Sequence, residues 1–232
     1  MRAEVYGEGD DDLAFVLGWA NKPEYANVRW LIDRLVEQGY RVHAIEIPRV
    51  VSDFDAEYLD PVAAYVADLG EYRFLGHSTG GLIGAFLHDP EPITRVYLSP
   101  WWGMHADLRN PIVSLLSRLP TRRTILPVDF DGDMLGDLAP PEQVADVPER
   151  VAPTFLREAK RAQARLPPFD EDAVVFCTPE DPVVGADAIR ERTPEDNAVV
   201  YEGGHELFNS SSREEHVETL LAAIDRGTEA LE

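Results

Sequence analysis

The sequence predicts an α/β protein, a mostly parallel sheet covered by helices on both faces, with an inserted helical cap. Three observations carry that prediction. Short apolar runs alternate with amphipathic segments up to residue 100 and again from residue 169. Between 101 and 168 the alternation stops, and prolines and helical spacing take over. At residues 74–81, "FLGHSTGG" sets one serine between glycines where a strand-like run gives way to a helix-like one. Strands that alternate with helices need crossover connections, which makes them parallel and buries both faces of the sheet.

Taken in order, "AEVYG" and "LAFVLGW" read as strands on either side of the turn "EGDDD". Residues 24–38 place Val28, Leu31, Ile32 and Leu35 on one helical face, and Gly39 stops that helix. "YRVHAIEIP" is a strand, "DPVAAYVADLG" a helix, "YRFLG" a strand, "GGLIGAFLHD" a helix and "ITRVYLSP" a strand. After residue 168 come the strand "DAVVFCTPED", the helix "GADAIRER", the strand "NAVVYEGG" and the helix "REEHVETLLAAIDRG". Residues 1–100 and 169–232 thus form the core, and 101–168 the cap. No strand is expected in the cap. Its Ile112, Leu115, Leu116 and Leu119 recur at helical spacing and call for burial.

Composition narrows the partners. The 232 residues include 43 acidic and 21 basic side chains, a formal net charge of −22. Only Lys22 and Lys160 are lysines; the other basic residues are arginines. Such a surface repels itself in dilute buffer and is relieved by salt, a pattern that resembles proteins of salt-in halophiles. No basic stripe is available to neutralise phosphates, so nucleic acid is not an expected partner. No run of 18 apolar residues would insert stably into a membrane, and "MRAEVYGEGDDD" lacks an apolar signal core. The single cysteine, Cys177, cannot form an internal disulfide. The expectation is a cytoplasmic protein of open oligomeric state.

Gly76-His77-Ser78-Thr79-Gly80 matches G-x-S-x-G at a strand-to-helix junction, the context of a nucleophile elbow. There the serine takes a strained backbone, the glycines avoid collision, and the following helix aims its N-terminus at developing negative charge. A serine hydroxyl needs a base, and the base needs an orienting carboxylate. His205 in "GGHELF" follows one late strand, and Asp181 in "TPEDPVV" follows another, with Glu180 and Asp187 as neighbouring carboxylates. His43 lies in a strand pattern and His88 and His216 on helices. His77 is too close in sequence to reach round to Ser78, and His105 stays open as a substrate contact.

At "GHSTGG", "PEDPVV" and "GGHELFN" the chain resembles the α/β-hydrolase superfamily over nearly its whole length. "HELFN", with His205, Glu206 and Asn209, is similar to the histidine region of its monoacylglycerol lipase and lysophospholipase group. The resemblance implies a Ser78 nucleophile, a His205 base, an Asp181 orienter and a cap where the alternation breaks. One departure stands out: many relatives carry His-Gly after the strand before the first helix, whereas here Leu17 precedes Gly18. The oxyanion donors are backbone groups, so the hole survives this change. It is assigned to the N–H groups of Trp19 and Thr79, with Ala20 as an alternative to Trp19.

Trp101, Trp102 and Met104, directly after "VYLSP", are placed to line a pocket for an apolar acyl or aromatic group, or to anchor the cap. No cofactor and no metal are expected. "DFDGD" at 129–133 lacks the spacing and closing glutamate of an EF-hand. The expected activity is cleavage of a small-molecule carboxylic ester with a small or medium apolar acyl group. The same residues would equally suit an amidase, thioesterase, carbon–carbon bond hydrolase or acyltransferase. A binding protein on a hydrolase scaffold is the rival of another class.

Overall fold

The computed structural model describes residues 1–106, 115–128, 130–179 and 181–232. Its strands are β1 (Arg2–Tyr6), β2 (Asp11–Val16), β3 (Tyr40–Glu46), β4 (Arg73–His77), β5 (Arg95–Leu98), β6 (Leu126–Pro127), β7 (Arg150–Val151), β8 (Val174–Cys177) and β9 (Ala198–Val200). Seven of them form one sheet in the order β1-β3-β2-β4-β5-β8-β9. Only β1 runs antiparallel to its neighbour, through pairs such as Arg2 with Glu46.

Period-two alternation divides the core between the two faces. Leu13 and Phe15 of β2, with Leu17 just after it, face α1 (Ala26–Glu37) and α7 (Arg213–Arg226), where Val28, Leu31, Ile32, Leu35, Leu220 and Ile224 pack. Ala14 and Val16 face the other way, toward α2 (Asp60–Leu69) and α5 (Pro153–Gln163). The amphipathic face read at 24–38 is thus the buried face of α1, and Gly39 adopts φ 96° just beyond it.

Strand order reverses at β2. The chain moves from β2 to β3 on one side and returns to β4 on the other. In open α/β sheets the crevice at such a reversal lies beyond the carboxyl ends of the strands and receives ligands. The loops after β2 and β4 meet there.

Several boundaries differ from the sequence reading. The helix expected over "GGLIGAFLHD" is only α3 (Thr79–Gly84). Buried Arg95 explains its early end. Its guanidinium donates to the carbonyls of Gly84 at 2.6 Å and Leu87 at 2.9 Å, groups that would otherwise continue or cap the helix. Between β5 and β8 lie α4 (Pro141–Asp146) and α5, together with a two-residue antiparallel pairing of β6 with β7 that the strand-free reading missed. Two residues per strand are too short to show an alternating pattern. The expectation of burial for Leu115, Leu116 and Leu119 is also overturned: Leu115 is 64% exposed, and the other two are exposed as well. Ile112 lies outside the described residues. The remaining helix of the core is α6 (Ala186–Arg192), between β8 and β9.

Candidate active site

Ser78 sits between β4 and α3 with φ 51° and ψ −113°, a left-handed backbone that costs a non-glycine residue about 1 kcal/mol or more. Three hydrogen bonds hold it there. Its N–H donates to Leu98 O at 3.0 Å, and its carbonyl accepts from Leu82 N at 3.1 Å and Trp101 N at 2.9 Å. The glycines are dictated by contact. A Cβ at Gly80 would lie 2.0 Å from Val16 O, and one at Gly76 would lie 2.6 Å from the Phe74 ring. The elbow therefore packs against β2, and no other side chain fits at those positions.

His205 follows β9, and Asp181 follows β8. The Asp181 carboxylate is buried; its Oδ1 accepts the N–H groups of Val183 at 2.8 Å and Val184 at 2.9 Å. Its Oδ2 accepts His205 Nδ1–H at 2.8 Å. Burial alone would raise the Asp181 pKa, but the His205 ring and the two N–H groups hold it below its usual 3.8. Burial pushes the His205 imidazole down, yet Asp181 and then Glu206 more than offset this, and its pKa lies above the usual 6.5. The ring is further fixed through its backbone, with N–H to Met134 O at 2.8 Å and carbonyl from Tyr201 OH at 3.0 Å. With Nδ1–H committed to Asp181, Nε2 is the basic nitrogen. It is buried without a hydrogen-bond partner, and His205 and Ser78 line the same cavity. The Ser78–His205 hydrogen bond is open in this structure, as such bonds often are before substrate arrives.

The loop after β2 supplies the opposite wall. Trp19 and Ala20 line the cavity, and among the described residues neither N–H has a backbone partner. Ala20 adopts φ 67°. The Trp19 indole donates to Arg49 O at 2.8 Å, which pins the loop. Thr79 also lines the cavity. As the first residue of α3, it has an N–H with no intrahelical acceptor. A Cβ at Gly18 would lie 2.6 Å from His77 Nδ1, so the glycine of "LGWA" is required by its approach to the elbow, whatever precedes it.

The cavity encloses about 270 Å³. Its apolar wall includes Trp101, Phe155, Leu156, Val183 and Val184. Trp19 stacks on Phe155 at 5.3 Å, and Trp101 meets Phe155 at 5.4 Å. Of the three pocket residues expected from sequence, only Trp101 lines it. Trp102 packs between Tyr97 and Phe169 and donates to Gly81 O at 3.3 Å; Met104 is buried where it bridges Val184. Both anchor the segment after β5 to the core. His105 borders a separate depression with Asp181 and Asp187. Asp187 is exposed and paired with Arg190, which leaves Asp181 to meet His205. Glu180 and Asp129 lie outside the described residues.

Sequence reading missed one part of the site. Glu206, Asn21 and Gln143 form a buried polar group on the cavity wall. Glu206 was visible only as a member of "HELFN". Gln143 sits 63 residues away in the short helix α4, where no motif marks it. Among the described residues no group of three His, Cys, Asp or Glu side chains is placed to hold a metal ion.

Residues 14–219 match the alpha/beta hydrolase family, and the chain belongs to that family. Among solved structures it is similar to a monoacylglycerol lipase of Paleococcus ferrophilus, with TM-score 0.73 and 17% identity over 99% of this chain and 98% of that one. It is also similar to a soluble variant of the monoglyceride lipase of Saccharomyces cerevisiae (0.74, 14%, 96% and 90%) and to an esterase of Exiguobacterium antarcticum (0.65, 16%, 96% and 94%). At these identities the likeness is one of fold. No match was found among curated proteins.

Proposed function

We propose that the protein is a serine hydrolase that cleaves a carboxylic ester bearing a small or medium apolar acyl group. One observation carries this reading: a strained elbow serine shares a cavity with a histidine whose Nδ1 is bound to a buried carboxylate and whose Nε2 is free. Ser78 Oγ attacks the ester carbonyl while His205 Nε2 takes its proton. Asp181 holds the ring and supports the imidazolium. The oxyanion rests on the N–H groups of Thr79 and of Trp19 or Ala20. His205 then gives its proton to the leaving alcohol, and water hydrolyses the acyl-enzyme by the same route.

The aromatic and branched wall supports an apolar acyl group, and the ester-cleaving structural relatives support the reaction class. Residues 101–168, which supply Phe155, Leu156 and Gln143 to the wall, are read as a cap over the site. The acidic, lysine-poor surface supports work at high salt, as in a halophile. The test is labelling by a fluorophosphonate with Ser78→Ala as control, followed by hydrolysis of p-nitrophenyl esters of increasing chain length. Absence of labelling, or labelling that survives Ser78→Ala, overturns the reading.

A further inference from the structure

Glu206 follows His205 and is only 2% exposed. Its carboxylate accepts Asn21 Nδ2–H at 2.7 Å, Gln143 Nε2–H at 2.8 Å and an N–H of Asn209 Nδ2. The amides also bind one another: Gln143 donates to Asn21 Oδ1 at 3.0 Å, and Asn209 donates to Gln143 Oε1 at 3.0 Å. Asn209 Oδ1 accepts in turn from Asn27 at 2.6 Å. The group is closed on itself, so it asks for no ligand. It joins three segments far apart in sequence: the loop bearing Trp19 and Ala20, helix α4, and the loop bearing His205.

The charge is the second point. The hydrogen-bond partners of Glu206 are all neutral amides, so no cationic side chain compensates a carboxylate buried here. An uncompensated buried anion is costly. Of the two imidazoles beside this network, His77 is held neutral by burial, and the His205 ring, on which Glu206 acts electrostatically, becomes a cation while it holds the serine proton.

We propose that Glu206 is a positioning residue of the hydrolytic site, which locks the oxyanion loop through Asn21 and places a second negative charge beside the His205 imidazolium. The proposal rests on the Ser78–His205 reading. Burial raises the Glu206 carboxyl above its usual 4.5, although His205 and the amides oppose this. Four titratable groups bear on the His205 ring and its loop: Asp181, Glu206, His77 and Tyr201. His77 is held neutral, well below 6.5, by burial and by His205 itself, which leaves the two carboxylates as the anions that support the ring.

Glu206→Gln keeps the shape, removes the charge and turns a donor toward donors. We expect kcat for a p-nitrophenyl ester to fall about tenfold or more, roughly 1.4 kcal/mol in barrier, with KM within about threefold. The acid limb of kcat/KM should move to lower pH, because His205 loses one supporting charge. A smaller loss of kcat, or an unmoved acid limb beside a lowered melting temperature, means that Glu206 only holds the fold, and overturns the proposal. If Glu206→Gln does not fold, Gln143→Leu decides. It removes amide donors and keeps the charge, so it should lower kcat about fivefold or more with the acid limb in place. A smaller effect overturns the proposal. Fluorophosphonate labelling of the wild type at Ser78 separates the two failures. If labelling is intact and Glu206→Gln is unimpaired, the positioning role fails alone; if labelling is absent, the serine reading itself fails.

Discussion

Asp181 Oδ2 lies 2.8 Å from His205 Nδ1, and the other oxygen of the same carboxylate is held by two backbone N–H groups. The carboxylate thus cannot swing away from the ring without breaking its own turn. Asp181→Asn keeps the size but removes the charge, and its amide favours the wrong imidazole tautomer. The expected loss is about 10⁴-fold in kcat. Asp187, exposed against Arg190, should tolerate Asp187→Asn within about tenfold. Steady-state kinetics of both variants check the assignment, and a mild Asp181→Asn contradicts it.

The pH profile follows from the His205 pKa. A general base works only when neutral, so kcat/KM should rise with pH through the pKa of the free enzyme. Burial lowers that pKa, while Asp181 and Glu206 raise it by more, and the net direction is upward from 6.5. The acid limb should therefore have its midpoint above 6.5. A midpoint at or below that value would mean that burial outweighs the carboxylates.

Ser78 and His205 act as a unit. Ser78→Ala and His205→Ala should each cost about 10⁴-fold or more in kcat, and the double variant should be scarcely worse. Circular dichroism should show all three folded. Additive losses would place the two residues in separate steps.

The elbow makes a prediction about stability. Gly80→Ala would set a methyl group 2.0 Å from Val16 O, and backbone cannot yield as a side-chain tip can. Separating α3 from β2 should cost about 1–3 kcal/mol, as overpacking does. Thermal melts measure it, and an unchanged midpoint would mean that the elbow can open freely.

What the sequence made legible follows from how local each signal is. The α1 face, the turn at Gly39 and the strand-to-helix turn at Ser78 are each written within a single turn or element, and the structure has all three. His205 and Asp181 are distant in sequence, yet each follows a strand, so topology brings them to one edge. Of the two roles open to the pair of tryptophans, Trp101 takes the cavity wall and Trp102 the anchor, and nothing in "PWWG" says which ring goes where. The early end of α3 depends on Arg95, and the Glu206 network depends on Asn21 and Gln143, 122 residues apart. Contacts of that range leave no period or spacing to read. The buried face expected for Leu115 and Leu119 failed because helical spacing reports an apolar face without saying what covers it.

The surface gives the last prediction, and two effects of salt oppose each other in it. Screening weakens the exposed ion pairs, such as Arg29 with Asp33 and Arg190 with Asp187. Each of these contributes about 0–1 kcal/mol at best. Screening also weakens repulsion among carboxylates. With 43 acidic against 21 basic residues, like-charge pairs outnumber opposite-charge pairs over the chain as a whole. Raising salt from about 0.1 M to 1 M shortens the Debye length from about 10 Å to about 3 Å, which removes the long-range repulsion while leaving contact pairs partly intact. Repulsion therefore loses more than attraction, and the melting temperature should climb as KCl rises toward molar concentrations. A midpoint that stays flat or falls over that range would show that the contact pairs, and not the net charge, dominate this surface.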